Sequence, residues 1–217
     1  MTLINSRISF GFSKKLPQKS AQRFFLGAEQ VHGSLIKTIH SDQITSSRVF
    51  DSCDGVVYKQ EKTFKKVCLY VKTADCLPLL IYSPKNKLLG AVHVGYKSAY
   101  LGILTNLVNL LTSLKVDFQE LSVVFGPSIN GACYNIPMSR YKRFQDKFEN
   151  SSSFLFTNAK NYYLSLAGFA HSQLISLNVP KTAFSWQLYC THCQADKYYS
   201  FRRGDRNVNF YSYLTYD

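Results

Sequence analysis

Three side chains with strong affinity for transition metals, His32, Cys76 and His93, each stand at the edge of an apolar run beside glycine or proline. Cys76 lies in Thr73-Ala74-Asp75-Cys76-Leu77-Pro78, and His93 lies in Ala91-Val92-His93-Val94-Gly95-Tyr96. His32 ends Glu29-Gln30-Val31-His32 and is followed by Gly33. Two imidazoles and one thiolate are zinc ligands, and three protein ligands leave a fourth position for water or substrate, as in catalytic rather than structural zinc sites. Such an ion would bring the pKa of bound water towards neutrality and supply a nucleophile. The long, unequal spacing fits no compact zinc pattern, so two other readings stand beside this one. Cys76 could be a small core residue with the histidines as hydrogen-bonded polar groups, or a nucleophile with His93 as its base.

Three other stretches carry chemistry-bearing residues. Cys190-Thr191-His192-Cys193 is a C-x-x-C. As half of a structural zinc site it needs a second pair, and the sequence has no other C-x-x-C. As a thioredoxin-type redox pair it should open a helix after a strand, and residues 196–201 lack a helical pattern. The reading adopted is that Cys190 and His192 shape a loop. The Gly-rich residues 126–134 could cradle an anion with backbone N–H groups. They lack the GxxxxGK[ST] and GxGxxG patterns, so nucleotide binding by those routes is unsupported. Tyr199-Ser200-Phe201-Arg202-Arg203 places two guanidiniums, suited to phosphate, after an aromatic run.

These groups need rigid elements behind them. Residues 67–71, 77–82 and 88–92 are apolar, β-branched and aromatic, and read as buried strands. Ser83-Pro84-Lys85-Asn86-Lys87 is a hairpin connection between the last two. Cys76 and His93 are therefore expected on neighbouring strands of one sheet, which holds a ligand better than a loop does. Further strands are expected at 8–12, 34–39, 56–58, 121–125 and 183–188, with polar loops at 14–21 and 41–48. Leucines at 101, 104, 107, 110, 111 and 114 predict one helix from Ser98, its N-cap, to Leu114. Pro137 begins a first helical turn before the polar-amphipathic residues 138–149. Leu164, Leu166, Phe169, Leu174 and Ile175 predict a helix over 163–177, and the C-terminal stretch reads as a loop followed by a hairpin. No repeat, linker or low-complexity segment divides the chain. The expected class is α+β, a single domain over residues 1–217 with a mixed β-sheet core flanked by helices.

The whole-chain balance narrows the function. The 217 residues are 46% hydrophobic, enough for a substantial core. Against 13 acidic residues stand 26 basic ones, which points to anionic partners. The basic residues are scattered, however, and no helix-turn-helix, RNP or zinc-finger pattern appears, so no nucleic acid is expected. Residues 1–20 lack the apolar core of a signal peptide. No run nears the roughly 18 apolar residues that span a bilayer. A cytoplasmic protein with six reduced cysteines, not bound to a membrane, is expected.

Taken in order, Glu29-Gln30-Val31-His32-Gly33, Asp54-Gly55, Thr73 to Pro78, Ala91 to Tyr96, Gly126-Pro127-Ser128-Ile129 with Cys133-Tyr134, and Cys190-Thr191 with Tyr199 to Arg203 resemble one family. It is the multicopper polyphenol oxidoreductase (laccase-domain) family, described as zinc-dependent purine nucleoside phosphorylases, with a fold similar to that of the cytotoxic-necrotizing-factor toxins. The resemblance runs from about residue 8 to the C-terminus. It implies that His32, Cys76 and His93 bind Zn2+, with copper the lesser alternative. It implies phosphorolysis of adenosine, inosine and S-methyl-5'-thioadenosine to base and ribose 1-phosphate, and deamination of adenosine. The partners are then purine nucleosides and phosphate, in a monomer or homodimer. Phosphorolysis needs cations to hold phosphate, and Arg202, Lys97 and Arg48 are the chosen ones; Asp75 would orient a ligand or act as an acid or base. The sequence departs from the family at Tyr96-Lys97, where an arginine is usual, at Asn130 and Asn135, and in a shortened stretch over residues 14–23. The alternatives are a cysteine-type hydrolase (an amidase, or an editor of peptidoglycan precursors) and a polyphenol oxidase. Five histidines are too few for a type 1 copper site plus a trinuclear cluster.

Overall fold

The central hairpin forms where the apolar runs place it. In the computed structural model, which describes residues 2–3, 7–18, 22–187 and 189–217, the strands before it are β1 (Thr2–Leu3), β2 (Ile8–Ser13), β3 (Arg23–Ala28), β4 (Ile36–His40), β5 (Arg48–Phe50), β6 (Gly55–Lys59) and β7 (Lys66–Thr73). The hairpin is β8 (Leu77–Ser83) and β9 (Leu88–Val94). Then come α1 (Tyr96–Tyr100), α2 (Ile103–Ser113), β10 (Ser122–Phe125), β11 (Asn135–Ile136), α3 (Met138–Lys147), β12 (Leu155–Asn158), β13 (Asn161–Leu164), α4 (Leu166–Ser176), β14 (Phe184–Trp186) and β15 (Phe210–Tyr216).

The architecture is α+β with mixed sheets, as expected, and the core is divided between two stacked sheets. The first runs β1-β2-β15-β7-β3-β5 and the second β14-β10-β8-β9-β6-β4. Leu26, Leu69 and Val71 of the first pack against Val56, Tyr58, Leu80, Leu89, Ala91 and Val124 of the second. The alternate residues Val57, Leu79, Ile81, Val92 and Val123 face the other way, onto α2 and α4. Helices thus cover one face of one sheet. The second sheet is buried on both faces, and this is why its strands read as unbroken apolar runs. A smaller sheet, β11-β13-β12, lies apart.

The differences from expectation have local causes. The single helix expected over residues 98–114 is broken in two. Gly102 takes a left-handed φ of 87° and is the N-cap of α2. Ser98 lies inside α1, where its Oγ accepts the Gly95 N–H at 2.8 Å; the N-cap is Gly95. The helix expected from residue 163 starts later, because Leu164 ends β13 and Ser165 caps α4 by accepting the Gly168 N–H at 3.0 Å. The expected C-terminal hairpin is one strand, β15, inserted antiparallel between β2 and β7. Residues 19–21 of the expected polar loop and Leu188 of the expected strand lie outside the described residues. Among the described residues no helix is long and apolar enough to cross a membrane.

Candidate metal centre

The β8–β9 register brings two of the three residues together. Leu77 pairs with Val94 and Pro78 with His93, so Cys76, one step before β8, comes to the same end of the sheet. Pro78, without an N–H, sits at the strand's beginning, where proline is tolerated. His32 arrives on the segment after β3. That segment is pinned by Gln30, whose side chain donates to the Lys72 carbonyl at 2.6 Å and accepts the Lys72 N–H at 2.7 Å. The donor atoms of His32, Cys76 and His93 lie within 4.8 Å of one another.

Asp54 holds this arrangement. Its carboxylate is fully buried and accepts three N–H groups: His93 Nδ1 at 2.8 Å, the His32 backbone at 3.0 Å and the Gly33 backbone at 2.6 Å. One side chain thereby sets the ring of one histidine and the backbone of the other. Because Nδ1 of His93 is taken, Nε2 is left for an ion, the usual carboxylate–histidine arrangement at metal sites. Strain collects here too. Gln30, His32 and Asp75 have φ of 64°, 60° and 93°, left-handed conformations that side-chain-bearing residues seldom adopt.

Burial would raise the Cys76 thiol, but the facing His93 and hydrogen bonds from both histidines outweigh it and hold its pKa at about 6. Burial would lower His93, but Cys76 and Asp54 together push it up to about 9. The thiol and the imidazole thus each favour the other's charged form.

The residues fit an ion on steric grounds as well. A Cβ on Gly95 would stand 3.1 Å from Cys76 Sγ, 3.1 Å from His32 Cδ2 and 3.6 Å from His93 Cε1. Glycine keeps open the space on which the donors converge. Bond lengths of about 2.0–2.3 Å to a tetrahedral zinc separate its ligands by roughly 3.3–3.8 Å, so a small side-chain adjustment gathers atoms already this close. His32 is exposed, Cys76 partly buried and His93 buried, so the site opens on the surface.

The other predicted site residues have different surroundings. Asp75 is buried, and both its carboxylate oxygens are engaged, by Thr191 Oγ1 at 2.7 Å and by the Arg202 backbone N–H at 2.7 Å. It ties two loops beside Cys76. The Arg202 guanidinium donates to the Asn135 carbonyl at 2.8 Å and lies 5.1 Å from the centre of the Tyr134 ring. Lys97 is exposed on α1. Arg48 sits over Phe50 and lines a cavity with Ile39, Ile44 and Ser46, none of them part of the centre. A second cavity, about 220 Å³, lies against residues 125–132 and contains none of the three donors.

Sequence reasoning passed over two residues. Asp54 stands before Gly55 at a strand entry, a place that assigns it no role from sequence. Arg140 projects from α3, 3.6 Å over the Tyr96 ring, with Nη1 3.4 Å from the Tyr134 hydroxyl. Nothing in the sequence near Arg140 signals this. Burial, and to a smaller degree nearby Cys76, raise Tyr134 to about 12 against the opposing pull of Arg140 and Arg202. The remaining histidines are dispersed: His40 pairs with Glu61, His171 packs edge-on against Phe184 and Trp186, and His192 lies in the turn after Cys190. Among the described residues the histidines thus form no cluster able to hold three coppers.

Comparison with known proteins adds to the geometry. A purine nucleoside phosphorylase of Borreliella burgdorferi is 28% identical over 178 residues, covering 81% of this chain and 72% of that protein. One of Rickettsia conorii is 32% identical over 136 residues, covering 62% of this chain and 52% of that protein. The chain thus spans about half the length of the Rickettsia relative. Among solved structures, YlmD from Geobacillus stearothermophilus superposes with a TM-score of 0.76 at 22% identity, over 88% of this chain and 73% of that one. Bacillus licheniformis YfiH gives 0.75 at 20% identity, over 89% and 74%. At such identity these two speak for the fold. The sequence profile of one family, described as multi-copper polyphenol oxidoreductase laccase, matches residues 13–213. With nearly the whole chain inside that match, the protein belongs to the multi-copper polyphenol oxidoreductase laccase family.

Proposed function

We propose that this chain is a zinc-dependent purine nucleoside phosphorylase, cleaving adenosine, inosine and S-methyl-5'-thioadenosine with phosphate, and that it also deaminates adenosine. The observation that carries the reading is the convergence of His32, Cys76 and His93 under Asp54, opening onto the surface. The names of the Borreliella and Rickettsia relatives supply the reaction class. His32, Cys76 and His93 would hold the ion, which when bound acts as a Lewis acid and lowers the pKa of its water. Asp54 fixes the His93 tautomer and holds the His32 backbone in place. Arg202 and Lys97 would supply the positive charge that phosphate needs, with Arg140 a third source close to Tyr96 and Tyr134. Asp75, its oxygens occupied, positions the Arg202 and Thr191 loops rather than moving a proton. The six unpaired cysteines suit a reducing compartment such as the cytoplasm.

The test is chromatography of the products from adenosine, with and without phosphate, on protein of measured metal content. Adenine appearing only with phosphate, and inosine appearing without it, is the expected result. His32→Ala and Cys76→Ala should each lose the ion at this centre and all turnover. Full activity in either would sink the proposal.

One observation favours a second reading. Asp54, His93 and Cys76 stand in the order of an orienting acid, a base and a nucleophile. A thiol hydrolase, an amidase in particular, would use that order directly. Chelation separates the two: it stops the zinc enzyme and spares or activates the thiol enzyme.

A further inference from the structure

The C-x-x-C motif acquires in space the partners that it lacks in sequence. Cys133, from the Gly-rich loop after β10, places its Sγ 3.6 Å from Cys193 Sγ. The donor atoms of Cys133, His192 and Cys193 all lie within 4.8 Å of one another. Cys190, from the same turn, supplies a third sulfur; it stands outside this group of three and reaches the ion by a side-chain adjustment. Its sulfur also accepts the Asn130 backbone N–H at 3.3 Å. Two thiolates bonded at about 2.3 Å to one tetrahedral zinc stand roughly 3.8 Å apart, close to the separation seen here. A disulfide would need the sulfurs near 2.05 Å.

We propose that Cys133, Cys190, His192 and Cys193 form a second metal site, a closed structural Zn2+ centre with three thiolates and one imidazole. Soft sulfur donors select zinc over hard cations, and four protein ligands leave no position for substrate. Binding releases the thiol protons to solvent and changes no oxidation state. Cys193 is exposed, so the ion can enter from solvent.

The site's place in the fold gives it a purpose. Ser128 bridges Cys190, and the Ser128 and Thr191 backbones are hydrogen-bonded across the same junction. Thr191, between the ligands, bonds Asp75, the residue before Cys76. Arg203 holds the turn from outside, donating to the Thr191 and His192 carbonyls at 2.7 and 3.0 Å. An ion here staples residues 126–134 to the 190–193 turn and so fixes the wall beside the first centre.

Zinc content of the full chain, purified under reducing conditions, tests the proposal. Two zinc ions per chain are expected. Cys193→Ser and His32→Ala should each drop the content to one, and the pair of changes to none. One zinc in the unchanged chain, lost in His32→Ala and kept in Cys193→Ser, overturns the proposal. So does a Cys133–Cys193 disulfide found by mass spectrometry in place of metal. If Cys193→Ser does not fold, cobalt substitution of the unchanged protein decides the matter. Thiolate-to-cobalt absorption worth four sulfurs supports two centres, and absorption worth one overturns the second.

Discussion

Replacing Asp54 by asparagine changes one oxygen to an NH2 with almost no change in shape. Three donors converge on the carboxylate. If the amide oxygen takes the place of Oδ1, the NH2 meets the Gly33 N–H, donor against donor. If the amide turns over, the NH2 faces His93 Nδ1, which must then accept, and the proton moves to Nε2, the atom reserved for the ion. Either way one hydrogen bond to a charged group is lost in a fully buried place, at about 1.5–3 kcal/mol. Loss of a supporting carboxylate at a metal-binding histidine typically weakens metal affinity 10–100-fold, about 1.4–2.8 kcal/mol. The two routes agree near 2 kcal/mol, so zinc affinity at this centre should fall about thirtyfold. Competition against a chromogenic chelator measures it. The metal-free protein should also melt about 4–8 °C lower. Zinc affinity within twofold of the unchanged protein would refute the claim that Asp54 organises the centre.

Three other outcomes follow from the same geometry. Gly95→Ala should weaken zinc binding at least tenfold with little change in melting temperature, because the new methyl intrudes on the donors while the backbone φ of −92° accepts alanine. In metal-stripped protein, Cys76 should react with iodoacetamide along a titration centred near pH 6. Its pKa is lowered, so the reactive thiolate is present above that pH and lost below it. At pH 7 the thiolate fraction should be roughly thirty times that of an ordinary thiol, and peptide mapping of the alkylated site checks it. Arg203→Lys should cost about 2 kcal/mol, or 4–8 °C in melting temperature, because an ammonium cannot serve the Thr191, His192, Tyr198 and Asp205 oxygens together.

The strands of the sheet interior were legible because burial on both faces leaves a chemical mark: residues 67–71, 77–82 and 88–92 are apolar without alternation, and all lie in β7, β8 and β9. What escaped notice was set by single backbone choices or by distant pairing. The apolar stripe of residues 101–114 continues smoothly through Gly102, so nothing in its period announces that one left-handed residue divides two helices. β3 and β5 pair in parallel with partners far along the chain, and β5 is a three-residue edge strand whose first residue, Arg48, closes the stretch expected as a polar loop. Splitting the core between two sheets likewise depends on β15 returning to lie between β2 and β7, a pairing that local pattern does not encode.

The donors themselves were found by type: histidine and cysteine beside glycine, at the ends of apolar runs, are uncommon enough to draw attention. Their support, Asp54, was not, because it acts through hydrogen bonds that only folding creates. The same limit explains the C-x-x-C. Judged along the chain it lacks a partner pair; judged in space it has Cys133, carried there because β10 pairs with β8 and leads into the Gly-rich loop. Both clusters thus hang from the same strand, β8. Cys76 precedes it directly, and Cys133 follows its neighbour, with Asp75 and Thr191 hydrogen-bonded between the two. A disturbance of either cluster should therefore register at the other, through a contact of two side chains rather than through the sheet as a whole.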